Sequence, residues 1–489
     1  MTSARTWALS SEMAMAAAFA YPWDAAGRRF ALHRTNGPNS HQIRRSVGVL
    51  LALSLLALIL VVLGSPEPTL AAEPDPVEAN IPLQGPLDFD ACARLAIRQS
   101  PYLTKTSVEI DIRHMDENDS RYSMVPPVTF RSYYYVNRPT QPGLNPKPYS
   151  LSFNTDPYNP FGSYFTLQAQ KLATKIAVFG HLKVISDGLE RLGKMFLNLA
   201  TMKRLAGLQT DLVNLSREKQ VYAENRLSIG TGTSLEVRIA TQELELAKSE
   251  QGRLALSQKR TLSSLKTFLG LKPDQQVDLD LRDARRQVTG SFDPAAATLE
   301  QAKDKSYELK MLGLKTEIQG YMITVAKAKI FPSILFTTQS PDPLSVTSAR
   351  GLYVGLGLEV PVWDGFKRIR NVSRQKAVLK QLSADKDLKE IDLTDKWNTL
   401  QEDVRSAAAN LKMAQSQEEL ERLKERQGEI RYQSGAEPLP SWLSARKAIL
   451  EAQKSAAAKA LEYDETVLNF RHFSGDLGYS YVDQNSWQK

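Results

Sequence analysis

The sequence predicts a mainly α-helical protein with a small β part, built from long antiparallel coiled-coil hairpins that carry four strands. Three observations predict it: the chain is written twice, two proline-free stretches are very long, and short segments alternate apolar and polar residues. The duplication sets the frame for the rest.

Residues 99–127 and 305–333 each run as a polar helix into a proline that precedes a strand, with Leu103 matching Leu309 and Pro126 matching Pro332. Farther along, 226–230 with 235–240 matches 431–435 with 440–445. The organisation read from this is a leader (1–72), a first repeat (87–285) with its turn near 230, a second repeat (295–477) with its turn near 435, and a loose polar tail (478–489).

The leader contains Arg44-Arg45, then an apolar run of about 17 residues (47–63), then small residues ending at Ala71-Ala72. This is the order of a secretory signal peptide cleaved after Ala71 or Ala72. The stretch before the run exceeds an ordinary basic region, so an uncleaved inner-membrane anchor is the other reading.

Composition narrows the function. The formal net charge is +8, and the leader carries six Arg against Glu12, Asp24 and Glu67, so the rest is only mildly basic. Its Lys and Arg are spread among Glu and Asp along helices, which reads as solvated helix faces and not a nucleic-acid footprint. Cys92 is the only cysteine, which excludes an intrachain disulfide; its helical spacing suits a small buried apolar residue. The five His are scattered, so no metal site, cofactor site or catalytic constellation is expected.

The strands are few. Residues 352–360 alternate, with Leu352, Val354, Leu356 and Leu358 on one face and small or polar residues on the other. Its counterpart is expected at 164–170, with Phe165 and Leu167 on the apolar face, and strands at 128–136 and 333–338 complete four. Proline-rich 137–162 and 339–351 read as loops. Four strands cannot close a barrel, and an open edge facing hydrocarbon leaves unpaired N–H and C=O groups. If the strands cross a membrane, several chains share one barrel.

Helices fill the remainder. From 172 to 230 and from 365 to 435 no proline interrupts the chain, a length of roughly 80–100 Å at about 1.5 Å per residue. In the second stretch Leu393, Trp397, Leu400, Val404, Ala407, Leu411 and Ala414 form a coiled-coil seam; Leu205, Leu208, Leu212 and Leu215 do so in the first. Gly230 and Gly435 supply the left-handed residue that ends each helix, and the chain returns as 235–269 and 441–471.

These motifs in this order resemble the TolC-type outer membrane efflux factors over 87–477. The carrying residues are 87–97 with Pro101-Tyr102-Leu103, the helix-to-strand elbows Pro126 and Pro332, the 358–365 element with elbow residues Pro361 and Gly365, and 432–435 leading to 442–445. The resemblance implies a homotrimer with a twelve-stranded outer-membrane barrel and a helical periplasmic tunnel, working with a periplasmic adaptor and an inner-membrane pump. No covalent chemistry is implied. The first repeat departs from the pattern, because 171–180 stand where the second repeat has its elbow.

At the periplasmic tip the resemblance places Tyr432 and Glu236 in a closing network. Glu437 stands where a relative has a basic residue, and Ser441 and Ser444 fall on acidic-ring positions. The expectation is one carboxylate ring from Glu236, no latch to Glu437, and Arg238 or Arg446 as substitute cations. Tyr133, Tyr134, Tyr135, Tyr149, Tyr158, Phe161 and Tyr164 are expected as an interfacial belt at the outer surface. The competing reading is a periplasmic coiled-coil adaptor or scaffold, soluble or anchored by 47–63.

Overall fold

The computed structural model describes residues 85–134, 149–290, 292–339, 353–360 and 362–481. The leader, Tyr135, Leu352, Pro361, the centres of both loops and residues 482–489 lie outside the described residues.

The element order is itself repeated. The first half runs α1 (Phe89–Gln99), α2 (Pro101–Tyr122), β1 (Val128–Tyr134), β2 (Tyr149–Thr155), α3 (Pro160–Ser228) and α4 (Ser234–Phe268). After a short α5 (Ala284–Thr289) come α6 (Leu299–Lys305), α7 (Tyr307–Ala328), β3 (Ser333–Gln339), β4 (Tyr353–Glu359), α8 (Lys367–Gln433) and α9 (Leu439–Phe473). A last helix, α10, spans Asp476–Tyr481.

Local chemistry starts and stops these elements. Asp88 caps α1 by accepting from the Ala91 N–H at 2.7 Å, and Pro101 opens α2, where a missing donor costs nothing. The long helices α3 and α8 hold 69 and 67 residues, about 100 Å each at 1.5 Å per residue. Each ends at a left-handed glycine, Gly230 (φ 74°) and Gly435 (φ 73°), and returns as a 35-residue partner.

A helix start displaces one expected strand. Residues 164–170 belong to α3, because Asn159 caps that helix on the Gly162 N–H at 3.0 Å and Pro160 begins it ahead of them. Phe165 stacks on Tyr321 with ring centroids 6.1 Å apart, and Leu167 is buried; neither is a lipid-facing strand residue. The second strand lies inside the expected loop, as β2. The first-repeat elbow accordingly sits just before Asn159, and 171–180 are plain helix.

The main core sits where α1, α3, α4, α5, α9 and α10 meet, around Phe89, Leu192, Phe196, Val288, Leu468 and Leu477. Cys92 is fully buried there, and burial, aided by Asp88, pushes its thiol up to about 12. Gly193 permits the closest crossing: a Cβ there would lie 2.8 Å from Leu468 and 2.9 Å from Val288. Trp397 of the predicted seam packs on Phe470 at 4.7 Å. The expected loose tail begins instead as packed helix, since Gly478 is buried and Tyr479 stacks on Tyr307 at 5.5 Å.

Asp464 of α9 is buried beside α5. Arg285 Nε lies 2.9 Å from its Oδ1 without forming a well-aligned hydrogen bond, and burial pushes the carboxyl up to about 6 despite that cation. The folded state therefore favours the protonated acid, and stability present below the unfolded carboxylate range is lost as pH rises through 6. Asp464→Asn is expected to be more stable than the parent at pH 7 by about 2 kcal/mol, allowing for solvent screening on the Arg285 side. Thermal unfolding across pH 4–7 should show this gain vanishing at the acid end.

Candidate functional site

Two regions gather the candidate residues: the sheet and the hairpin tips. The sheet order is β1-β2-β3-β4, every neighbour antiparallel. Directly opposite residues share a face, so the register sorts the side chains.

One row runs Phe130, Phe153, Thr338, Val354 across all four strands. Phe336 and Leu356 pair on the same face, as do Ile334 and Leu358. Apart from the buried Thr338 the face is largely apolar and exposed: Val354, Leu356 and Leu358 are 67%, 81% and 72% exposed, and Val128, Phe130 and Ile334 are exposed with them. Leu352 of the predicted set lies outside the described residues.

The other face is polar. Its matching row is Thr129, Asn154, Thr337, Gly355. Thr129 donates to the Asn154 carbonyl at 2.8 Å, and Thr337 donates to the Asn154 side-chain oxygen at 2.6 Å. Among the described residues neither β1 nor β4 has an outer partner, so both edges are open there.

At the helical end of the strands stand exposed apolar residues from every crossing: Tyr122 and Val125 before β1, Phe161 after β2, Phe331 before β3, Val362 and Trp363 after β4. Trp363 meets Phe366 edge-on at 5.2 Å. Tyr158, Phe161 and Tyr164, expected at the outer surface with Tyr134, belong to this opposite end, because β2 separates them from the first loop. Gly365 and Phe366 both adopt positive φ (62° and 60°), which turns β4 sharply into α8. Pro126 leads into β1, with Tyr158 donating to the Met124 carbonyl beside it; Pro332 leads into β3.

The two tips place equivalent arginines on carboxylates that are not equivalent, since Glu236 aligns with Ser441 and Glu437 with Gly232. Arg226 reaches across the first turn to Glu236 at 3.5 Å, and Arg431 reaches across the second to Glu437 at 2.8 Å. Glu236 also completes a capping box with Thr233 at the start of α4. The Arg431 hydrogen bond, with another from the Ser441 hydroxyl at 3.2 Å, holds the Glu437 carboxyl below its usual range. Tyr432 stacks on Trp442 at 5.3 Å and an interplanar angle of 4°.

Neither expected substitute cation holds Glu236. Arg446 lies over the Trp442 ring at 5.6 Å and 4.0 Å from Glu218, while Arg238 is exposed with no ion pair among the described residues. Ser444 donates back to the Pro440 carbonyl at 2.8 Å. Sequence reasoning missed Arg226 and Arg431 as functional residues. The signal was present, since both stand four positions before the turn glycine in their repeats.

Among the described residues no helix is long and apolar enough to cross a membrane, and no group of His, Cys, Asp and Glu could hold a metal. The outer membrane efflux protein family model matches residues 298–476. A comparison with curated proteins finds no match.

Solved structures match over most of the chain. The Campylobacter jejuni CmeC outer membrane channel is 14% identical with a TM-score of 0.67, covering 82% of this chain and 88% of its own. The outer-membrane channel OprN is 16% identical with a TM-score of 0.66, covering 79% and 89%. The Neisseria gonorrhoeae MtrE channel in its open state is 13% identical with a TM-score of 0.64, covering 81% and 91%. The family model thus matches part of the second half of the chain, and the chain shares its fold with these solved outer membrane channels.

Proposed function

We propose that this chain is the outer-membrane channel of a tripartite export machine. A periplasmic adaptor and an inner-membrane pump load it, and substrate passes through its lumen without covalent change. The observation that carries the reading is the sheet: one face bare and apolar, the other polar and hydrogen-bonded, both edges open, at the end of helical hairpins about 100 Å long. Such a face suits lipid, and such edges require neighbours.

The neighbours are copies of the chain. Four alternating antiparallel strands leave β4 antiparallel to β1, so the β4 edge of one protomer continues into β1 of the next without a change of pattern. Three protomers give a twelve-stranded closed barrel with the apolar row outward and the row of Thr129, Asn154, Thr337 and Gly355 lining the lumen. A coiled-coil scaffold in the periplasm would leave the apolar face in water.

The tips form the entrance. Each carboxylate there is offset by an arginine of its own hairpin, so Glu236 contributes a ring of Glu–Arg pairs and not a ring of bare carboxylates. Gating at this mouth depends on loosening turns held by Arg226, Arg431 and the Tyr432–Trp442 stack.

Expression of the full chain, membrane fractionation and gel analysis with and without heating test the assignment. A heat-modifiable trimer in the outer membrane is expected; a soluble monomer would overturn it. Leu356→Arg is expected to block assembly, since a cation at mid-bilayer costs about 2–4 kcal/mol, whereas Thr337→Lys on the lumen face should still assemble. In planar bilayers Glu236→Gln should shift selectivity toward anions and Arg226→Gln toward cations. If neither moves it, the tip does not set selectivity.

A further inference from the structure

Asp464 stands on the apolar side of α9. Val467 and Leu468, three and four positions on, are buried, and helical spacing puts Asp464 on the same stripe, where the residue is only 8% exposed. Its Oδ1 is buried and receives no hydrogen bond. Burial pushes the carboxyl up to about 6 against the pull of Arg285, so at neutral pH the fold holds a charge there that it does not satisfy.

That carboxylate lines a cleft of about 270 Å³ between α5 and α9, a volume that suits a small ligand. Phe292, Tyr463 and Val467 give the cleft apolar walls, and Arg285 and Arg286 stand on its rim. Gly290 (φ 60°) ends α5 and turns the chain so that Phe292 meets Phe470 edge-on at 5.9 Å, which fixes that wall. Arg285 covers the cleft loosely: its guanidinium lies 5.2 Å over the Tyr463 ring, its Nε comes to 2.9 Å from Asp464 without good alignment, and its side chain is 59% exposed. Arg286 is exposed and has no carboxylate partner among the described residues. A ligand with only a positive head would meet two arginines, and one with only a negative head would leave Asp464 unsatisfied. A ligand carrying both charges on neighbouring atoms answers both.

We propose that the cleft between α5 and α9 binds a free α-amino acid as its zwitterion, with the ammonium on Asp464, the carboxylate on Arg285 and Arg286, and an apolar side chain against Phe292 and Val467. An ammonium brings three donors that rotate into line, so it supplies the aligned hydrogen bond that Arg285 does not. The ligand carboxylate draws the Arg285 guanidinium outward and gives Arg286 a partner, so the exchange conserves charge within the cleft. The apolar walls then take a branched or aromatic side chain out of water. The site is separate from the sheet and the tips, and the inference stands independently of the channel reading.

Saturation-transfer NMR on the detergent-extracted full chain at neutral pH tests this with three probes: free phenylalanine, phenethylamine, which lacks the carboxylate, and hydrocinnamate, which lacks the ammonium. Phenylalanine is expected to give a signal several-fold above either single-headed probe. Asp464→Asn should bring phenylalanine down to the hydrocinnamate level without lowering hydrocinnamate. Arg286→Gln should weaken phenylalanine and hydrocinnamate and leave phenethylamine unchanged. Because Asp464→Asn is expected to be more stable than the parent at pH 7, thermal unfolding of the same sample separates lost binding from lost fold. No phenylalanine signal in the parent, equal signals from all three probes, or a phenylalanine signal that Asp464→Asn leaves unchanged would each overturn the inference.

Discussion

Every backbone N–H and C=O in a hydrocarbon layer needs a partner within the protein, because water is absent to supply one. With the sheet in such a layer, as proposed, that requirement falls on β1 and β4, whose outer edges have no partner among the described residues. Four strands are too few to roll up, so on the proposed reading the demand is met between chains. The tandem duplication is one economical answer, as each repeat contributes a strand pair and a long hairpin, and identical copies extend the same pattern into a ring. On that reading the largely apolar face holding Phe130 and Val354 and the polar row from Thr129 to Gly355 become the outside and inside of one wall.

The helical part answers a different demand. Helices about 100 Å long satisfy their own backbone and need only a packing stripe, which they find in their return partners and in the joint around Phe89, Phe196 and Leu468. That joint holds the largest buried apolar cluster among the described residues, fastened by Gly193 on one side and by the docked α10 on the other. The tips are lightly built by comparison. Each is held by an arginine crossing the turn and, in the second repeat, by one aromatic stack. Stability graded this way leaves the tips freer to change than the joint.

Much of this was legible in the sequence, and the failures have physical causes. The glycine turns, the prolines before β1 and β3 and the alternation in β4 are local signals, and local signals survive without tertiary context. β2 was missed because Ser150, Ser152 and Asn154 with flanking prolines have the composition of a loop; only pairing with β1 and β3 makes them a wall. Residues 164–170 misled because a short alternating run also fits a helix, and the Asn159-Pro160 start signal was outranked by the pattern. At the tips the acidic residues were found and their cations were not, since a pair that closes across a turn has no fixed spacing. Arg226 and Arg431 betray themselves only when the repeats are laid over one another.

The most direct measurement is amide hydrogen exchange of the lipid-embedded protein, read strand by strand. If copies of the chain close the sheet, the amides of Val128–Tyr134 and Tyr353–Glu359 are protected as strongly as those of β2 and β3. Fast exchange confined to the outer amides of β1 and β4, with β2 and β3 protected, would mean that the edges stay open and that the shared barrel does not exist.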